Sequence, residues 1–322
     1  MALLFVSDAL TAAAVNLPML FVARALLGLC VGSFWSLAGA VVVRLASAGA
    51  FPRAMSVLFT GVSLATVLAA PTAAYVASLW GWRTGYELAT ALAGLAALFQ
   101  VFTVPRLGRG SAAGWSEYRE VIGRPAIFVA LVSVLLLVAG HFAAFTYIRS
   151  LLEQVTRLDV PAISTALLAF GLAAFAGNLV GAALAERSPR RATLTGATII
   201  TLALAALSVG ADSASAAWPA LVAWGAAFAI VIVGYQTWVT SEAADRPEVA
   251  GGLLAATFQV SIASGAMAGG LVVDRLGPTS VVQYAALAGL AAVALLVLYL
   301  RAQKPRLDAA RETAGAEDES PA

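Results

Sequence analysis

From Ala25 to Val43 the chain runs for nineteen residues without a charged side chain, bounded by Arg24 and Arg44. At a rise of 1.5 Å per residue such a run is long enough to cross the hydrocarbon of a bilayer as one helix. Gly28 and Gly32 stand four apart within it, and Ser36 and Ala40 continue the same small face, which suits close helix packing. Arg24 sits where its neighbours place it in or near the apolar zone. An ionisable group in a span is a functional candidate by default.

The rest of the chain has the same character. Of its 322 residues 61% are hydrophobic and only 11% charged. An ordinary globular domain carries roughly 25% charged residues, so lipid must take the place of most solvent and a soluble globular fold is excluded. The net charge of +2 points to no nucleic-acid partner. Cys30 and His141 are the only residues of their kinds, which removes disulfide frameworks and Cys- or His-based zinc motifs. No cofactor or metal is expected. A membrane-embedded enzyme would need a catalytic cluster, and one His, one Cys and scattered acids provide none.

Ten apolar stretches follow one another, at about 2–16, 19–43, 54–79, 85–104, 126–149, 162–185, 191–211, 217–240, 250–273 and 279–300. The long connection, 105–125, carries four arginines and an amphipathic piece around Trp115 and Tyr118, and reads as a cytoplasmic linker. The predicted organisation is a four-span half over 1–104, the linker, a six-span half over 126–302 and a disordered cytoplasmic tail over 303–322. Counted by alternate loops, 14 basic residues fall on one side and five, Arg24, Arg83, Arg149, Arg157 and Arg275, on the other. The richer side faces the cytoplasm, which puts both termini there in a multi-pass inner-membrane protein.

An internal repeat relates the halves. Ala54 to Gly81, ending in Trp80-Gly81-Trp82-Arg83-Thr84, matches Ala250 to Gly277, ending in Arg275-Leu276-Gly277-Pro278-Thr279, with 27 positions in each copy. Both copies run in the same direction, as parallel transporter halves do. Four spans precede the second copy and two the first, and the opening stretch is short for a span. The register therefore predicts two further helices ahead of Met1, from a shortened gene model or fragment.

These features resemble the major facilitator superfamily lacking its first two helices: an all-α membrane bundle of two pseudo-symmetric halves, with ten of twelve spans present. Arg24-Ala25-Leu26-Leu27-Gly28 resembles the family's fourth-helix motif. Gly61 with Ala70-Pro71-Thr72-Ala73-Ala74 resembles the antiporter motif of the fifth, although Ala70 replaces its usual glycine. Ala185–Arg191 is similar to a degenerate loop motif. Gly32–Ser36, Gly140–Arg149 and Gly234–Thr240 resemble bacterial drug, sugar and nucleoside efflux proteins. The resemblance implies a monomeric efflux transporter of small molecules, driven by proton antiport through alternating access. Purine ribonucleosides or related drugs are the favoured substrates. A sugar or antibiotic exporter, or a remnant that no longer transports, stays open.

Candidate residues follow. Arg24 is either a snorkelling helix-end arginine or, as the resemblance implies, part of the proton coupling. Asp8 and Arg24 lie ~13 and ~10 Å from the intervening turn, so they are expected to pair across it, or Asp8 is itself a proton site. The alternative is that Asp8 meets water. His141 is a third candidate for proton coupling, against a neutral histidine bonded within the bundle. Phe142, Phe145 and Tyr147 offer rings for a flat substrate, with Phe34 and Trp35 in the other half, against ordinary packing. Asn178, Gln236 and Gln259 are either inter-helix glue or substrate contacts. Trp238 reads as belt or pocket, and Pro71 as a flexing point or a tolerated proline.

Overall fold

The computed structural model describes residues 1–45, 79–104 and 114–318, with isolated positions between 58 and 77. The described residues form α1 (Ala2–Ala12), α2 (Leu17–Leu45), α3 (Trp82–Thr103), α4 (Trp115–Ile122), α5 (Pro125–Thr146), α6 (Ile148–Gln154), α7 (Val160–Arg187), α8 (Pro189–Gly210), α9 (Ala214–Glu242), α10 (Pro247–Leu276) and α11 (Pro278–Asp318). Eight of these are long and apolar enough to cross a membrane, and Ala2–Ala12 is a shorter apolar helix. Most of the expected span at 54–79, including Pro71 and the Arg53–Ser56 loop, lies outside the described residues.

Helix starts follow from proline and capping chemistry. Pro125, Pro189, Pro247 and Pro278 each open a helix, where the missing N–H removes a donor that would have had no partner. Asp159 accepts from Ala162 N at 2.9 Å and caps α7, and Asn16 Oδ1 accepts from Met19 N at 2.9 Å at the head of α2. Gly81 and Gly277 mark the two repeat ends, and both take left-handed φ values, 86° and 84°. A side chain at either would be strained, so the same residue type closes both copies for the same backbone reason.

The chain divides into two compact units. One comprises Met1–Val121 with Ala243–Gln259, the other Ile122–Glu242 with Val260–Ala322. In the first, α1 packs against α2 and α3. Arg246 ties α4 down through Glu117 at 2.7 Å and Glu120 at 3.1 Å. In the second, α9 packs against α7 and α8, and α11 against α5 and α8. Glycines make these contacts close. A Cβ on Gly181 would lie 2.9 Å from Ile230 Cα, and one on Gly265 2.8 Å from Ala139 Cα. Gly28 and Gly32 have nothing within 4 Å among the described residues.

The last helix continues to Asp318, across the tail whose composition suggested disorder. Its Ala, Arg, Gln and Glu are strong helix formers and extend the apolar span that precedes them. Trp238, a belt candidate on sequence, is 1% exposed and belongs to the interior of the second unit.

Candidate functional site

The first unit holds a polar cluster between α1, α2 and α3. Ser7, Asp8 and Thr11 fall on one face of α1 and are 0%, 7% and 1% exposed. Asp8 is therefore among the buried side chains of this unit. Ser7 Oγ donates to Ala23 O at 2.8 Å, which fixes α2 beside α1 one residue before Arg24. Thr11 Oγ1 gives its proton to Ser7 O at 2.8 Å and accepts from Arg24 Nη2 at 2.7 Å. The Arg24 guanidinium lies over the Tyr86 ring, 5.1 Å from its centroid.

Asp8 is near enough to feel the charge of Arg24, yet the two form no ion pair. Arg24 Nε is buried and has no acceptor among the described residues. Arg83 closes the cluster from α3, donating to Ala14 O at 3.0 Å with its guanidinium 4.4 Å from the Trp82 ring. Phe34 and Trp35 form an edge-to-face pair at 5.4 Å, with Phe34 40% exposed.

The second unit holds an aromatic box around His141. Trp224 Nε1 donates to His141 Nδ1 at 2.9 Å. An indole nitrogen can only donate, so Nδ1 carries no proton in this arrangement and the imidazole is neutral. Phe228 stacks on one face of the ring at 3.5 Å and 2°, and Phe145 lies nearly parallel at 5.5 Å. Phe142 meets it edge-on at 4.9 Å, and Phe170 completes the surround at 6.5 Å. Sequence reading found His141, Phe142 and Phe145 and missed Trp224, Phe228 and Phe170. The signal was present: His141 and Phe145 on α5, and Trp224 and Phe228 on α9, are both i, i+4 pairs.

Tyr147 takes another place. Its hydroxyl donates to Ala266 O at 3.3 Å, and its ring packs on Gly269, so it serves the α5–α10 seam. Asn178 and Gln236 are half-buried in the second unit, and Gln259 is half-buried in the first. At the far end of α9, Arg190 pairs with Glu242 and Gln303 and lies 5.9 Å from the Tyr299 ring centroid.

Two buried polar centres inside apolar helices are a costly arrangement, tolerated in membranes where the groups have work to do. The family profile described as Major Facilitator Superfamily matches residues 1–251. The chain belongs to the Major Facilitator Superfamily. Within that superfamily it is 35% identical over 265 residues to the purine ribonucleoside efflux pump NepI of Salmonella paratyphi B, and equally to that of Salmonella typhimurium. Each match covers 81% of this chain and 66% of the relative, so the chain spans just under two thirds of the length of the curated relatives it matches. Among solved structures, the E. coli fucose:proton symporter FucP, crystallised as a variant, is similar with a TM-score of 0.70. It is 18% identical and matches over 92% of this chain and 81% of its own. That likeness speaks to the fold, and the fold is the superfamily's.

Proposed function

We propose that the protein exports small polar or amphipathic molecules across the bacterial inner membrane, with purine ribonucleosides as the favoured class. Proton antiport drives it by alternating access, and both termini lie in the cytoplasm. The observation that carries the reading is the Asp8–Arg24 centre, a buried carboxylate beside a half-buried arginine, in a chain similar to efflux pumps along four fifths of its length. A carboxylate in that position can gain and lose a proton with a large change in its interaction with Arg24, which is what coupling to a gradient requires.

His141 enters the reading as a second protonation point. A proton taken at Nδ1 would break the bond from Trp224, so charging it would be tied to a shift of α9 against α5. Phe142 and Phe145 in one unit, and Phe34 and Trp35 in the other, each offer ring faces that suit a nucleobase, and Asn178, Gln236 and Gln259 are neutral polar groups that suit its edges and ribose. The domain plan carries over as a proposal: halves at 1–104 and 126–302 joined by the 105–125 linker, working as a monomer.

Uptake of labelled inosine into inside-out vesicles, with and without an imposed pH gradient, tests the reading. Gradient-dependent accumulation is expected. Accumulation of a sugar or antibiotic in its place would move the substrate class, and no gradient-dependent accumulation of any of them would remove the transport reading.

A further inference from the structure

The α1 face offers Arg24 two acceptors one turn apart. Asp8 and Thr11 are i, i+3 on the same buried face, about 4.5 Å apart along the axis. In this structure the guanidinium is bonded to the neutral one of the two. The edge it uses is only half occupied. Nε–H and Nη2–H point from the same side of a guanidinium, the side that grips a carboxylate with two parallel bonds. Nη2 is on Thr11, while Nε is buried without an acceptor. An unmade bond at a buried N–H of a charged group is expensive, and Thr11 Oγ1 receives Nη2 alone.

We propose that Arg24 switches between Thr11 and Asp8 according to whether Asp8 holds a proton, and that Thr11 is the positioning residue that receives the arginine in the protonated state. The inference rests on Asp8–Arg24 coupling as read above. With Asp8 protonated, its attraction for Arg24 is gone and the guanidinium rests on Thr11 Oγ1, whose own proton is committed to Ser7 O. When the proton leaves Asp8 for water, the carboxylate becomes an anion. The Nη2–Thr11 bond then breaks and the Nε, Nη2 edge closes on the two carboxylate oxygens. No covalent bond changes other than the O–H of Asp8, and the centre passes from a net charge of +1 to zero. The Tyr86 face stays under the guanidinium in the Thr11-bound position and favours a cation there.

Few other charges face the centre. From α2 it is Arg24. From α3 they are Arg83, held by Ala14 O and the Trp82 ring, and Glu87, which is exposed. Asp8 is itself the only ionisable side chain of α1. The charge that acts on Asp8 from beside it is that of Arg24.

The test is an infrared titration of the protonated-carboxyl band of Asp8 in the purified full gene product, assigned by its disappearance in D8N. It needs no substrate. In T11V, which keeps shape and loses the hydroxyl, the ionised carboxylate has no competitor for Arg24. The band is then expected to need about tenfold more protons to appear, one pH unit. T11S restores the wild-type midpoint. Thermal unfolding of each variant checks that the fold is kept. Wild-type titration in T11V, or a shift in T11S equal to that in T11V, overturns the switch. If D8N retains gradient-driven efflux, the coupling reading falls as well. If D8N abolishes it while T11V titrates like wild type, the coupling reading stands and the switch alone is lost.

Discussion

At the scale of single residues, the buried polar groups are held by few partners, so single changes should separate their roles. D8N is expected to abolish gradient-driven inosine accumulation while leaving exchange at equal pH on both sides, since the substrate face is untouched. Full gradient-driven activity in D8N would remove Asp8 from the coupling. W224F should leave His141 Nδ1 buried without its donor, at about 1–3 kcal/mol, read as a fall in the thermal midpoint of the purified protein. An unchanged midpoint would show that water or a neighbour replaces the indole.

The two centres differ in how visible they were beforehand. Arg24 and Asp8 stand out in a sequence because charges inside apolar runs are rare. Thr11 does not: a threonine within a helix commonly bonds back to its own helix, and nothing local marks this one as also accepting from Arg24. Trp224 is 83 residues from His141, and only the packing of α9 beside α5 brings the indole to the imidazole. Tyr147 looked like a ring with a free hydroxyl, but α10 takes both.

At the scale of elements, close approach at glycine is the main packing device of the second unit. Gly177, Gly181 and Gly265 let neighbouring backbones touch, with dispersion rather than the hydrophobic effect as the glue. G265L should force α10 off α5 and cost about 1–3 kcal/mol or more, measured as loss of thermal stability, whereas G28L should be tolerated by the described packing. Equal losses for the two would show that an unseen neighbour covers α2. Among the described residues the spans were legible nearly end to end, because lipid allows no long charged or unbonded backbone within them. The helix ends were less so: α2, α7 and α10 begin at positions set by Asn16, Asp159 and Pro247 rather than by hydropathy.

At the scale of the whole molecule, the asymmetry of basic residues predicts an orientation with both termini in the cytoplasm. A reporter that is active only in the cytoplasm, fused after residue 322, should be active, and one that is active only outside should not. The reverse would invert the topology and put Arg24 at the opposite end of its span. Removal of the Arg246 contacts to Glu117 and Glu120, as in R246A, is expected to loosen α4 without abolishing folding, because these groups are partly exposed and surface ion pairs contribute about 0–1 kcal/mol. Faster proteolysis around residue 115 would report it.

The paired glycines at 81 and 277 share one backbone requirement. The residues around them differ, Trp-Gly-Trp in one and Leu-Gly-Pro in the other. A dihedral that only glycine tolerates cannot drift in the same way, because every single substitution along the path is penalised. G81A should therefore cost about 1–3 kcal/mol, although an added methyl group would touch nothing within 4 Å. If duplication produced the two halves, its most durable trace is a backbone angle rather than a side chain, and distant copies of this repeat are better sought by matched glycine torsions than by residue identity.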